Sequence, residues 1–341
     1  MKNKNLSLRT MYNISIMALV VGIFSYLAFS EGGLFDLFRN SKSFNKKWLF
    51  LAVVLHLLNM LVDIFNTYVF ANNVKKISFN NSTKVSLVGQ FFSAITPGAY
   101  GGQPMQVVIL SNYGIKSGIA VSILIQKFLV YQTVLTILSA LAIIIRFDYF
   151  NNQLDKTIWF LTILGFLMQA IVILGILLFS FNKKLTNFLV SSVFKIFKSL
   201  HFIKNYDEKV EKTEKQLEAF YKGNIELFKN RSLVLKTYTL TTIQLLCMSV
   251  VPFYVCRAIY VSSVNLSLID MMCAQIFIIT ASSLIPTPGS LGAAEGAMGV
   301  FLMPFFNDET IKPAILIVRL ISYYLTIFIS FPFSHLAKKR K

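Results

Sequence analysis

Six stretches of this 341-residue chain are each long and apolar enough to cross a lipid bilayer: roughly 10–30, 48–70, 117–146, 158–180, 233–258 and 312–334. A hydrocarbon core about 30 Å thick needs about 20 apolar residues of helix. Inside it every backbone N–H and C=O must be paired, which a helix does within itself. Composition agrees, since only 14% of residues are charged and mean hydropathy is +0.63, where a soluble domain has about a quarter charged. The expected fold is all-α, a polytopic helical membrane protein in a single integral domain over 1–341.

The first apolar stretch has two readings. Lys2, Lys4 and Arg9 precede it and Ala28-Phe29-Ser30 follows, as in a cleavable signal. Its apolar run is longer than a usual signal core, so an uncleaved first span is expected.

The formal net charge is +18, and it is concentrated next to spans. Residues 183–231 hold eleven Lys/Arg against six Asp/Glu, and the chain ends Lys338-Lys339-Arg340-Lys341. Basic residues flanking spans stay on the cytoplasmic side and attract anionic lipid headgroups. Nucleic-acid binding is set aside, because no motif for it accompanies the charge. Cys247, Cys256 and Cys273 all sit in apolar segments, so no disulfide framework is expected. His56, His201 and His335 lack metal-ligand spacing, and no nucleotide or hydrolase motif appears. No metal or cofactor is expected.

Two apolar regions are broken by nearly the same words: TPGAYGGQP over Thr96–Pro104 and TPGSLGAAE over Thr287–Glu295, their threonines 191 residues apart. Before the first break, Val85–Ile95 is only eleven residues, about 16 Å of helix and half the hydrocarbon thickness. Were 85–110 to cross, every later loop would flip and residues 183–231 would lie outside, against the charge bias. A hairpin entering and leaving on one side keeps the charge inside. The second broken region, 267–306, then dips in from the other face. This places Asp148, Asp155, Asp308 and Glu309 outside and both termini inside. One loop disagrees: 31–47 falls outside yet holds Arg39, Lys42, Lys46 and Lys47.

The expected architecture is therefore six spans plus two re-entrant helical hairpins in an inverted repeat: 10–146 with hairpin 85–110, and 158–334 with hairpin 267–306. Such repeats with interrupted helices near the midplane recur in transporters. The insertion at 181–232 reads as cytoplasmic. Lys184–Ile203 is amphipathic, with Leu185, Phe188, Leu189, Val193, Ile196, Leu200 and Ile203 on one face. Beyond it Glu208/Lys212, Glu211/Lys215 and Glu218/Lys222 suit a solvated helix.

The two motifs, extended to TPGAYGGQPMQ (Thr96–Gln106) and PTPGSLGAAEGAM (Pro286–Met298), resemble the signatures of the lysylphosphatidylglycerol synthase transmembrane region. This is the flippase-like part of multiple peptide resistance factor proteins. In the common family form an arginine and an acidic residue follow the proline of the first motif; here Gln103 and Gln106 stand instead, as in stand-alone members. The resemblance covers nearly the whole chain, without a counterpart of the synthase domain. It implies lipid-headgroup contacts for Thr96, Pro97, Gly98, Gly101, Gly102, Gln103, Gln106 and Lys127, and for Thr287, Pro288, Gly289, Gly292, Glu295 and Arg319.

Residue chemistry supplies reasons and alternatives. Helix starts at the tips would present free N–H groups to a phosphate, or the glycines and prolines serve only turns and close packing. Lys127 and Arg319 could counter a phosphate, or pair with Asp63 or Glu295. Glu295 could hold a cationic headgroup, exchange protons, or complement a helix dipole. Arg257 and Asp270 read as anchors near span ends. His56, Asn59, Asp63 and Asn66 share one helix face, lining a polar path or bonding a neighbouring helix. The function expected is movement of an anionic or aminoacylated phospholipid between leaflets of the cytoplasmic membrane. The alternatives are a phosphatidylglycerol lysyltransferase, or a non-catalytic partner of a separate lipid-modifying enzyme. Membrane phospholipids are the expected partners, with a homo-oligomer allowed.

Overall fold

The computed structural model describes residue 22 and residues 45–153, 156–199, 206–259, 267–283, 287, 289–306 and 308–336. The expected span 10–30 and the basic residues Arg39 and Lys42 therefore lie outside the described residues, as do Asp155, His201, Pro286, Pro288 and the Lys338–Lys341 tail. Within them the chain is helical, with no strand, and it is a polytopic helical membrane protein.

Two long helices form the axis. Helix α1 is Lys46–Val74 and α8 is Arg231–Ile259, 29 residues each and about 43 Å long at 1.5 Å per residue. They pack antiparallel along their length. Asn45 N–H donates to the Ala258 carbonyl at 2.9 Å and Trp48 stacks on Tyr254 at one end. Asn66 Nδ2 donates to Thr241 Oγ1 at 2.9 Å midway, and Asn230 Nδ2 to Asn73 Oδ1 at 2.7 Å at the other end.

A helical hairpin leaves each end of this pair. After α1, Ser78 caps α2 (Phe79–Ile95), which turns into α3 (Gly102–Asn112). After α8, Ser267 caps α9 (Leu268–Ser282), followed by α10 (Ala293–Phe301). Because α1 and α8 run in opposite directions, the hairpins start from opposite ends. Each is buried in its own apolar cluster. Phe91 and Leu110 of the first pack in one cluster with Ile123 and Leu135; Phe277, Ile278 and Phe301 of the second pack in another with Val255, Ile317 and Ile321.

The other crossings are α4 (Ser117–Gln153), α5 (Lys156–Phe181) and a composite last segment. This last segment is α11 (Asp308–Arg319), a π turn at Leu320–Tyr324, α12 (Leu325–Ser330) and a 3-10 end at Phe331–Leu336. Five of the six expected spans are thus helices of spanning length and apolarity. Exposed Phe50, Val54, Leu57, Leu61 and Phe65 make one stripe along α1, the side chains a bilayer would cover.

One boundary and one packing face depart from expectation. Asp148 is not in a loop, since α4 continues to Gln153 across a kink at Arg146. The stretch after α5 forms α6 (Lys183–Ser199) and α7 (Tyr206–Lys229). The exposed face of α7 carries the Glu211–Lys215 and Glu218–Lys222 pairs. Its other face buries Phe220, Tyr221, Asn224 and Leu227. That face lies on α4, where Gln126 Nε2 donates to the Asn224 carbonyl at 3.0 Å. Helices approach this closely because Gly118 of α4 and Gly223 of α7 lack side chains: a Cβ at either would overlap Gln216 or Ser122. So α7 is a packed helix with one solvated face.

Candidate functional site

The two tips adopt the same turn. Ala99 N–H donates to the Thr96 carbonyl, and Ser290 N–H to the Thr287 carbonyl, both at 3.1 Å. Gly98 and Gly289 take φ of 60° and 58°, and the next residues, Ala99 and Ser290, 60° and 54°. A positive φ at the third turn position is what a proline–glycine turn requires. The tips also touch: Gly98 N–H donates to the Thr287 carbonyl at 3.4 Å. Hairpins starting from opposite ends of the α1–α8 pair therefore meet between them.

The expectation that tip N–H groups stand free is corrected. In the first tip the N–H of Gly101 is taken by Thr96 Oγ1 at 2.9 Å and that of Gly102 by the Ala99 carbonyl. Thr96 in turn donates to the Phe92 carbonyl. In the second, Gly292 N–H donates to Glu295 Oε2 at 2.7 Å. These glycine N–H groups are therefore engaged within the tips rather than open to an anion.

A buried cation stands at the second tip. Arg319, at the last residue of α11, donates from Nε to Glu295 Oε1 at 2.6 Å and from Nη2 to the Gly289 carbonyl at 3.0 Å. Its guanidinium lies 4.5 Å from the Tyr323 ring centre, within the range of a cation–π contact. Tyr323 then joins both tips. Its hydroxyl donates to the Ala94 carbonyl at 3.1 Å, and a Cβ on Gly289 would run into its ring. Glu295 thus closes the start of α10 and holds Arg319, whose side chain is 7% exposed. The π turn begins at the next residue; such turns re-aim side chains within a helix.

A second charged centre lies between spans. Lys127 of α4 meets Asp63 of α1 at 2.8 Å and donates to Thr67 Oγ1 at 2.8 Å. Ser86 of α2 donates to Asp63 Oδ2, and Gln90 Nε2 does so at 3.1 Å. The side chains of Asp63 and Lys127 are 14% and 17% exposed. Of the alternatives open in the sequence, pairing is what both cations do.

The remaining candidates separate. Gln106 is buried against Gly89, whose missing side chain makes room for it, and Gly102 packs on Ser93. Gln103 and Pro97 are exposed at the first tip. Arg257 lies over Phe253, 5.4 Å from its ring centre, and is not brought to the tips. Asp270 pairs with Arg146 at the α4 kink. His56 shares a hydrogen bond with Thr326 of α12 at 2.8 Å. Sequence reasoning missed Tyr323 and Thr67, which lie within spans, and Ser86 and Gln90, which lie in the first arm of the hairpin. The Ser86–Gln90 spacing of one helical turn was the available signal.

Comparison with known proteins agrees with the motifs. The model of the lysylphosphatidylglycerol synthase TM region family matches residues 14–330. A UPF0104 membrane protein from Archaeoglobus fulgidus is 26% identical over 262 residues, covering 74% of this chain and 75% of that one. The chain belongs to the lysylphosphatidylglycerol synthase transmembrane-region family.

Proposed function

We propose that this chain carries a phosphate-bearing lipid headgroup between the leaflets of the cytoplasmic membrane. The carrying observation is the meeting of the two tips beside a buried arginine and its partly buried glutamate. A headgroup stripped of water in hydrocarbon costs several kcal/mol unless polar partners replace its hydration. Arg319 offers a phosphate a two-pronged donor, and Glu295 offers an ammonium an acceptor. The α1–α8 pair would span the bilayer, with both hairpins re-entrant from opposite faces and the halves related as an inverted repeat. Alternating closure of the halves would then expose the junction to each leaflet, with both termini and the α6–α7 insertion cytoplasmic.

The test is a reconstituted flip assay with a fluorescent phospholipid. The protein accelerates the probe's change of leaflet, and Arg319→Ala and Glu295→Gln each slow it at least about ten-fold, a loss of about 1.4 kcal/mol of stabilisation. Unchanged rates in both variants would remove the site from the tips. Formation of lysyl-lipid by purified chain supplied with lysyl-tRNA would instead favour an enzyme.

A further inference from the structure

The Asp63–Lys127 centre differs in kind from the pair at the tips, and the difference suggests what drives transport. Among the described residues every group holding Asp63 is a side chain: Lys127 from α4, Ser86 and Gln90 from α2. Thr67 on α1 accepts from Lys127 and donates to the Asp63 carbonyl at 3.0 Å. Rotamer changes alone can open such a cluster, whereas Arg319 is bonded to tip backbone.

Charge balance then constrains how Lys127 can be used. Its ammonium is neutralised by Asp63, so a phosphate that took Lys127 would strand a carboxylate in a low-dielectric interior, at several kcal/mol. A proton on Asp63 removes that cost. The acceptor for it is already in place. Gln90 Oε1 is buried and has no hydrogen-bond partner among the described residues, while Nε2 of the same amide touches Asp63 Oδ2. Turning that amide over would set its oxygen against a protonated carboxyl. The groups facing Asp63 are Lys127 and Tyr131 from α4, and the uncharged Ser86 and Gln90 from α2. Thr241 of α8 is bonded to Asn66, nearly one turn along α1.

Building on the transport reading above, we propose that Asp63 and Lys127 form a proton-coupling site for an anionic phosphate headgroup. Asp63 takes one proton from water on the open side as the Lys127 ammonium moves from the carboxylate to a phosphate oxygen. After the site faces the other side, phosphate leaves, Lys127 returns to Asp63 and the proton is released there. One O–H bond forms and later breaks, and one anion crosses with one proton, without net charge.

The experiment uses the full chain in vesicles of equal parts phosphatidylethanolamine and phosphatidylglycerol, with a trace of fluorescent phosphatidylglycerol, a trapped pH dye and an imposed pH difference. The wild type concentrates the probe in the leaflet facing the alkaline side, by up to about ten-fold per pH unit, and protons move with it. Asp63→Asn leaves the probe even between leaflets and abolishes the accompanying proton movement. The double variant Asp63→Asn, Lys127→Gln leaves no ion unpaired and serves if the single one does not fold. Gradient-driven accumulation in whichever variant folds overturns the proposal. Wild-type movement indifferent to the gradient overturns the coupling and leaves the transport reading standing. No wild-type movement at all removes both.

Discussion

The two hairpin tips share a turn but not a means of holding it. In the first, a neutral threonine caps the turn and the tip lies open, with Tyr100 75% exposed. In the second, a carboxylate closes the helix start, an arginine clasps the carboxylate and the turn together, and Tyr323 is packed over it. The backbone form follows from proline and glycine alone. What differs is the charge that the neighbouring span brings to it. Lys127 and Arg319 follow their threonines by 31 and 32 residues, yet Arg319 reaches its own tip and Lys127 turns to α1. Equivalent words in a chain can therefore fix the same local geometry and leave its electrostatic use to be decided elsewhere.

That contrast can be broken most severely at the second tip. Arg319→Ala leaves a partly buried Glu295 without its cation, at a cost near the lower end of the about 3–5 kcal/mol for breaking a fully buried pair. Thermal unfolding in detergent should register a large fall. Combining Arg319→Met with Glu295→Gln should recover most of it. Next come the paired glycines. Gly289→Ala combines a positive φ with a buried tyrosine ring, for a loss of about 2–3 kcal/mol. Gly98→Ala meets only the exposed Tyr100 ring, so its loss should stay near the backbone term of about 1 kcal/mol. Equal losses at both glycines would dissolve the distinction drawn between the tips. Tyr323→Phe removes only the bond to Ala94 and should cost about 1 kcal/mol, with a proportionate change in melting. Smallest is Glu211→Gln on the exposed face of α7, where melting should not change measurably.

Much of this fold was legible because the bilayer narrows the choices. Long apolar runs gave the spans, and the short Val85–Ile95 piece with its proline marked a hairpin. The turn chemistry of Thr96–Gly98 and Thr287–Gly289 was explicit in the letters. Pairing was less so: Lys127 could be matched to Asp63 or to a substrate with equal justice, because spacing along one helix says nothing about which neighbour faces it. The π turn after Arg319 was invisible, since Leu-Ile-Ser-Tyr-Tyr reads as plain helix. The packed face of α7 was hidden for a different reason. Its charged i,i+4 pairs dominate the pattern, while Gly223, Asn224 and Leu227 that meet α4 are few and chemically mixed.

The bond from Gln126 to Asn224 sits one residue from Lys127. Anyone fitting this small protein with a fluorophore or a bulky imaging handle would turn first to the water-facing insertion, and half of that choice is hazardous. A tag wedged between α7 and α4 would tug on the very helix that carries Lys127. One placed on the Glu211–Lys222 ridge points away from it and should report without interfering.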